Sequence, residues 1–283
     1  MGDRKDGKLI RSIDNMHFCM AQIYPNRCDN EAFIQERIDL TNINKYLEGK
    51  NADGPEYKYN FFQLIVTALL KTITLRPKLN RFIANGNFYQ RNDVSAAFVV
   101  KKIFSDSGEE GQAFIHGLPE DNIDSIHNKI YKAVSFTRSD STDTTDDAME
   151  ILNKVPKWLG KAALHFIMWL DKHGWVPKSL IVSDPFYSSA VLSNVGSIKL
   201  KSGYHHLTNW GTTSIFVMIG ERKMRPFYDD EGNMTMKDSL DIGLTIDERI
   251  ADGYYYSKSV KLIKHLLENP ELLEKPLSEE VEL

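Results

Sequence analysis

Cysteine is scarce: Cys19 and Cys28 are the only two in 283 residues. That is too few for a disulfide framework in a chain of this size, and neither has the Cys-x-x-Cys or Cys/His neighbourhood that binds zinc. Both are expected to be reduced thiols in buried structural positions of a cytoplasmic protein, and no metal site is expected. Charge of one sign is also missing. A formal net charge of −4 gives no broad attraction to nucleic acid or to an anionic membrane, so neither is expected as a partner. No apolar run is long enough to cross a bilayer. The most apolar helical stretch, "KAALHFIMWL" at 161–170, has about half the required length and carries His165, so it reads as a core or interface helix. The charged start, "MGDRKDGKLIRS", has no apolar h-region and is no signal peptide. A glycine-rich phosphate loop, an internal repeat and a metal-spaced cluster are absent as well.

What is present describes a folded chain. Hydrophobic residues make up 42% and there are fourteen Phe and twelve Tyr, a composition that excludes disorder. The length sits at the upper edge of one domain. Residues 31–41, "EAFIQERIDLT", alternate with period two and predict a strand, with Thr41 as N-cap of a short helix ended by Gly49. From Tyr59 to Leu75 the apolar positions are too many for a one-sided surface helix, so this helix is expected to be buried around most of its circumference and stopped by Pro77. A hairpin follows, turning at Asn85-Gly86. The acidic stretch 137–148 reads as a loop, and a helix over about 147–172 is expected to break at Pro156. Strands are expected at 180–183, 190–195, 214–219 and 234–247, with a turn at 229–233 and a last helix over 254–268. Helices and strands mix without regular βαβ alternation, which gives an α+β layered fold in a single domain, 1–283, with 1–12 and 270–283 as peripheral tails.

Taken in order, "RIDLTNINKYLEG", "NFFQLIVTALLKTITLRPKLNRFI", "SAAFVVKK", "AVLSNVGS" and "DERIADGYYYSKSVKLI" resemble the catalytic domain of chloramphenicol acetyltransferase and the catalytic core of the dihydrolipoyl acyltransferases of 2-oxo acid dehydrogenase complexes. The resemblance runs from about Phe18 to Leu267. It implies a two-layer α/β sandwich, a mixed sheet with helices on one side, assembled as a homotrimer whose active sites lie at subunit interfaces. It further implies that coenzyme A or acyl-CoA is a substrate and that the acyl group passes to a small hydroxyl, amine or thiol. No lipoyl domain or subunit-binding linker precedes the core, so a free-standing protein is expected.

The resembling family carries His-x-x-x-Asp-Gly, in which the histidine deprotonates the acceptor and the aspartate holds the loop through a salt bridge. Asp252-Gly253 match its end, but Glu248 stands where the histidine would be. An unperturbed glutamate, near pKa 4.3, is a weaker base than an imidazole near 6.5. Burial raises a carboxylate, whereas a neighbouring guanidinium such as Arg249 holds it ionised. The resemblance also places Ser193, in "AVLSNVG", as the hydroxyl that donates to the oxyanion, with a strand-end cap as its other reading. His205 and His206 either supply the missing imidazole with Glu248 orienting it, or are interface histidines bonded to backbone. The remaining histidines (17, 116, 127, 165, 173 and 265) read as scattered surface or helix residues. Asp252 is expected to pair with Arg11 or Arg27, and Tyr254, Tyr255 and Tyr256 to cap the core, with lining of the acceptor pocket as their second reading. Two functions follow: a CoA-dependent acyltransferase, or a catalytically inactive scaffold or binding module on the same fold.

Overall fold

Alternating apolar side chains build the central sheet of this molecule. The structure, a computed structural model, describes residues 2–101, 110–139 and 155–282. Its elements are β1 (Gly7–Leu9), α1 (Asn15–Ile23), β2 (Glu31–Asp39), α2 (Thr41–Lys50), α3 (Phe61–Leu75), β3 (Arg81–Ala84), β4 (Asn87–Arg91), β5 (Val94–Lys101), β6 (Glu110–Gly117) and α4 (Ile123–Arg138). After them come α5 (Lys157–His173), α6 (Lys178–Ser183), β7 (Ala190–Asn194), β8 (Ile215–Ile219), β9 (Lys223–Tyr228), β10 (Met234–Asp247) and α7 (Gly253–Glu268). The main sheet has the order β2-β10-β8-β7-β5-β6, with β9 paired to the first half of β10. The β5/β7 and β7/β8 pairs are parallel and the rest antiparallel, so the sheet is mixed. A second sheet, β1-β4-β3, carries the chain start and the hairpin.

One face of the main sheet is dry. Ile242, Leu244, Ile246, Val217, Leu192 and Phe98 pack from it against α3 and α7 in a single buried core. Helix α3 starts at a reciprocal capping box between Asn60 and Gln63 and buries 11 residues, from Gln63 to Ile73, as its all-round apolar pattern predicts. Each fully buried Leu or Ile there contributes about 1.5–3 kcal/mol. Asn85 (φ 49) and Gly86 (φ 69) form the turn between β3 and β4, since two successive positive φ angles match the twist of the strands they join. The resulting fold is the mixed α/β sandwich expected, with α2, α3, α4 and α7 sharing one side of the sheet.

The opposite face carries the small apolar group Ala97, Val191, Leu207 and Phe216, and residues 199–212 cross it without regular structure. That segment lies directly on β10: a Cβ built on Gly243 would come within 1.9 Å of the Gly203 carbonyl oxygen. Gly243→Ala is therefore expected to push the segment outward, at a cost of about 1–3 kcal/mol. Urea unfolding followed by circular dichroism measures this, and an unchanged midpoint would mean that the segment does not rest on the strand.

Several expectations need correction. Residues 180–183 are helical, not a strand, because Pro177 presets the first turn of α6 and Asp184 ends it. Residues 161–169 are exposed rather than core, since α5 stands on the molecule instead of within it. The break expected at Pro156 is present, with Pro156 as the N-cap of α5; the expected first part of that helix, and most of the acidic loop, lie outside the described residues. The ends are not peripheral. Arg4 and Asp6 are buried beside β1, and Leu273 and Leu277 are fully buried among charged neighbours. Cys19 and Cys28 are both exposed, contrary to the buried roles expected.

Candidate active site at the end of the long strand

The strand β10 ends in Asp247, Glu248 and Arg249, and the three side chains go to different places. Asp247 and Arg249 are both fully buried and joined at both ends of the pair, Nε to Oδ1 at 2.8 Å and Nη2 to Oδ2 at 2.7 Å. Asp247 also accepts from the Arg249 backbone N–H, which starts a single helical turn at 248–250. Arg249 donates in addition to the Tyr24 carbonyl (2.8 Å). Behind Asp247 lies a second buried guanidinium, Arg27, with Nε at 3.8 Å and its other nitrogens donating to the Thr208 and Gly211 carbonyls. Burial pushes Arg27 below the ordinary arginine range, and Asp247 opposes that shift. The Tyr256 hydroxyl closes the arrangement by donating to the Asp247 carbonyl (2.8 Å). Glu248 is left pointing outward. Its N–H is held by the Asn30 carbonyl (2.8 Å), its side chain is exposed, and its carboxylate makes no hydrogen bond or ion pair with the described residues.

Ser193 sits two strands away, at the end of β7 and half-buried. It lies on the face that carries Val191 and Phe216, because residues two apart in a strand share a face. Its hydroxyl has no hydrogen-bond partner among the described residues, so the capping role open in the sequence is not seen. Register fixes its distance from Glu248. Ser193 is level with Met218, and Met218 with Gly243; Glu248 lies five residues further along β10. Two strand spacings sideways and five residues along give about 20 Å. Within one chain the two groups do not meet.

His205 lies between them over the sheet, its ring stacked on Phe216 at 4.3 Å and on His206 at 4.5 Å, with Nδ1 2.8 Å from the His206 carbonyl. Neither imidazole bonds to Glu248 among the described residues. Asp252 is not paired with Arg11 or Arg27. It is exposed and caps α7 by accepting from the Tyr255 N–H (2.8 Å), the bond that chiefly holds its carboxyl below the usual range. Arg27 pairs with Asp247 instead. The residue of the turn missed in the sequence is thus Asp247, with Arg249 and Arg27 given other partners there, and the signal for the Asp247–Arg249 pair was three consecutive charges ending an apolar strand. Of the tyrosines, Tyr256 is buried and Tyr254 is exposed, while Tyr255 carries the Arg76 guanidinium over its ring at 3.8 Å. Among the remaining histidines, His127 is buried and stacks on Tyr59 at 3.8 Å. No group of three or more metal-binding side chains occurs among the described residues.

Comparison with known proteins adds to this geometry. Residues 179–274, about a third of the chain, match the family described as 2-oxoacid dehydrogenases acyltransferase (catalytic domain). This span includes both Ser193 and the Glu248–Gly253 turn. A probable dihydrolipoamide acetyltransferase from Listeria monocytogenes is similar in structure, with a TM-score of 0.58 and 14% identity over 93% of this chain and 95% of that one. A dihydrolipoamide acetyltransferase from Azotobacter vinelandii gives 0.60 at 13% identity, over 93% of each chain; a serine, a histidine and an asparagine were investigated for their role in the catalytic mechanism of that protein. A chloramphenicol acetyltransferase gives 0.53 at 14% identity, over 92% of this chain and 99% of that one. No curated protein matches by sequence. The fold of this chain is that of these acyltransferase catalytic domains.

Proposed function

We propose that this chain is an acyltransferase that moves an acyl group from coenzyme A to a small hydroxyl, amine or thiol, using sites shared between neighbouring copies of a trimer. One observation carries the reading: the Ser193 hydroxyl and the Glu248 carboxylate have no hydrogen-bond partner among the described residues, while Asp247, Arg249 and Asp252 beside Glu248 are all engaged. Asp247 and Arg249 are buried and paired with each other, as buried charges are, whereas the Glu248 carboxylate is open to solvent. Both Ser193 and Glu248 lie inside the span matching an acyltransferase family, which supports the roles proposed for them.

In the proposed reaction the Glu248 carboxylate takes the proton of the acceptor O–H, N–H or S–H. The freed lone pair attacks the thioester carbonyl, and the new bond pushes negative charge onto the carbonyl oxygen. Ser193 Oγ–H of the adjacent copy donates to that oxygen. Collapse re-forms the carbonyl and breaks the carbon–sulfur bond, and the departing CoA thiolate recovers the proton from Glu248. The Asp247–Arg249 pair touches no reactant. It fixes the turn so that Glu248 is presented at one angle, the positioning that makes a general base effective.

The test is turnover of acetyl-CoA with a panel of small alcohols, amines and thiols, following free thiol release. Transfer is expected with at least one acceptor class and is expected to be lost in both Ser193→Ala and Glu248→Gln. Acyl-CoA binding without turnover across the panel would favour the scaffold instead, and turnover insensitive to both substitutions would remove these residues from the site.

A further inference from the structure

Helix α5 has a surface that acyl transfer does not use. Of residues 157–173 only Gly160 and Asp171 are buried, yet many of the exposed side chains are large and apolar: Trp158 is 73% exposed, Phe166 58%, Trp169 46%, and Trp175, just beyond the helix, 57%. At 3.6 residues per turn, Trp158, Leu159, Phe166, Ile167, Trp169 and Leu170 fall on one half of the helix. Lys157, Lys161, His165 and Lys172 fall on the other, with Leu164 and Met168 among them. The lysines form no ion pair among the described residues. The sole carboxylate of the helix, Asp171, is turned inward, bound to Arg4 (3.0 Å), the Tyr187 hydroxyl (2.9 Å) and the Gly211 N–H (3.1 Å). Gly174, at φ 74, then ends the helix, and Trp175 folds back edge-on against Trp169 with centroids 5.2 Å apart.

We propose that α5 lies in the plane of an anionic lipid bilayer surface, with its tryptophan half in the acyl boundary and its lysines toward the lipid phosphates. Tryptophan, phenylalanine and leucine opposite lysine is the pattern of helices that rest in the interface, and the indole ring is at home at that depth. Trp158 and Trp169 stand about 16 Å apart along the axis, so both ends of the apolar half carry an anchor. At 17 residues the helix is not a span, and no described helix is long and apolar enough to be one. Charge selects lipid over a protein partner. Protein interfaces are depleted in lysine, whereas each lysine at an anionic surface contributes about 1 kcal/mol. The whole chain carries −4, whereas this helix carries three lysines without an ion pair among the described residues and no exposed acid of its own, a reversal of sign along the helix that orients the molecule. The sequence-wide charge, which argued against a membrane, averages this reversal away.

Flotation of the full chain with vesicles of phosphatidylcholine alone, or with a quarter phosphatidylglycerol, tests the proposal, and its readout does not depend on transfer activity. Three of the four tryptophans are in the patch, so emission is expected to shift to the blue with the anionic vesicles and to be quenched by brominated acyl chains. K157Q/K161Q/K172Q is expected to weaken binding to the anionic vesicles by on the order of 100-fold, and F166S/W169S to abolish it with the urea midpoint unchanged. Absence of flotation with either vesicle overturns the proposal. So does tryptophan emission already blue without vesicles, coupled with loss of the oligomer in F166S/W169S, because the face would then be covered by a second copy.

Discussion

Asp247→Ala is expected to destabilise the protein by about 3–5 kcal/mol, the usual result of removing one partner from a buried ion pair. The carboxylate lies between two buried guanidiniums: Arg249 grips both of its oxygens and Arg27 stands 3.8 Å away. Its loss leaves two positive charges in the interior, each pressing on the other, and also removes the acceptor for the Arg249 backbone N–H at the start of the turn. With an m-value of about 3 kcal/mol per molar urea, the midpoint should fall by on the order of 1–2 M. Circular dichroism at neutral pH measures it. A fall of less than about 1 kcal/mol would mean that water reaches the arginines and that the turn is not held by this charge. Joint replacement, Asp247→Leu with Arg249→Met, is expected to cost less than the sum of the single changes, because no charge in the pair is then stranded.

Much of this fold was legible along the chain because period and punctuation agree with packing. Strand β2, helix α3, the Asn85-Gly86 turn and the long strand β10 each have one dominant pattern, and each appears where that pattern places it. The errors fall where a local pattern is ambiguous. Leu180, Ile181 and Val182 are strand formers in isolation, but Pro177 and Asp184 bracket them into one short helix. The apolar run in α5 reads as core because hydropathy does not reveal whether another element arrives to cover it. The charged carboxy-terminal tail hides Leu273 and Leu277, two side chains whose burial ties the end of the chain to the α3 and α4 side. At the candidate site, Asp247, Glu248 and Arg249 look equivalent in sequence. Only coordinates show that the outer two are spent on each other and that the middle one is presented to solvent. Asp-Gly before a helix serves equally as a salt-bridging loop or as an N-cap, and Asp252 takes the second role.

The separation of about 20 Å between Ser193 and Glu248 within one chain leads to a result that neither residue alone would give. Ser193→Ala is expected to slow transfer by about 10²- to 10³-fold, the effect of deleting one oxyanion donor, and Glu248→Gln to remove the base. If each site takes its serine from one copy and its glutamate from the next, chains carrying the two substitutions should rescue each other when denatured together and refolded in equal amounts. A cyclic assembly of randomly mixed chains forms a site with both native residues whenever a Ser193-bearing copy faces a Glu248-bearing one in the right order, which happens at about a quarter of the interfaces. Activity should then rise from below about 1% in either pure variant to about 25% in the mixture, while a mixture of unlike chains that were never dissociated stays inactive. Recovery of this size requires that the groups act across an interface, since no chain in the mixture has both. If the refolded mixture shows light scattering of the native size but no recovery, the serine and the glutamate do not serve one reaction centre, and the hydroxyl and carboxylate left unpartnered in each chain need separate explanations.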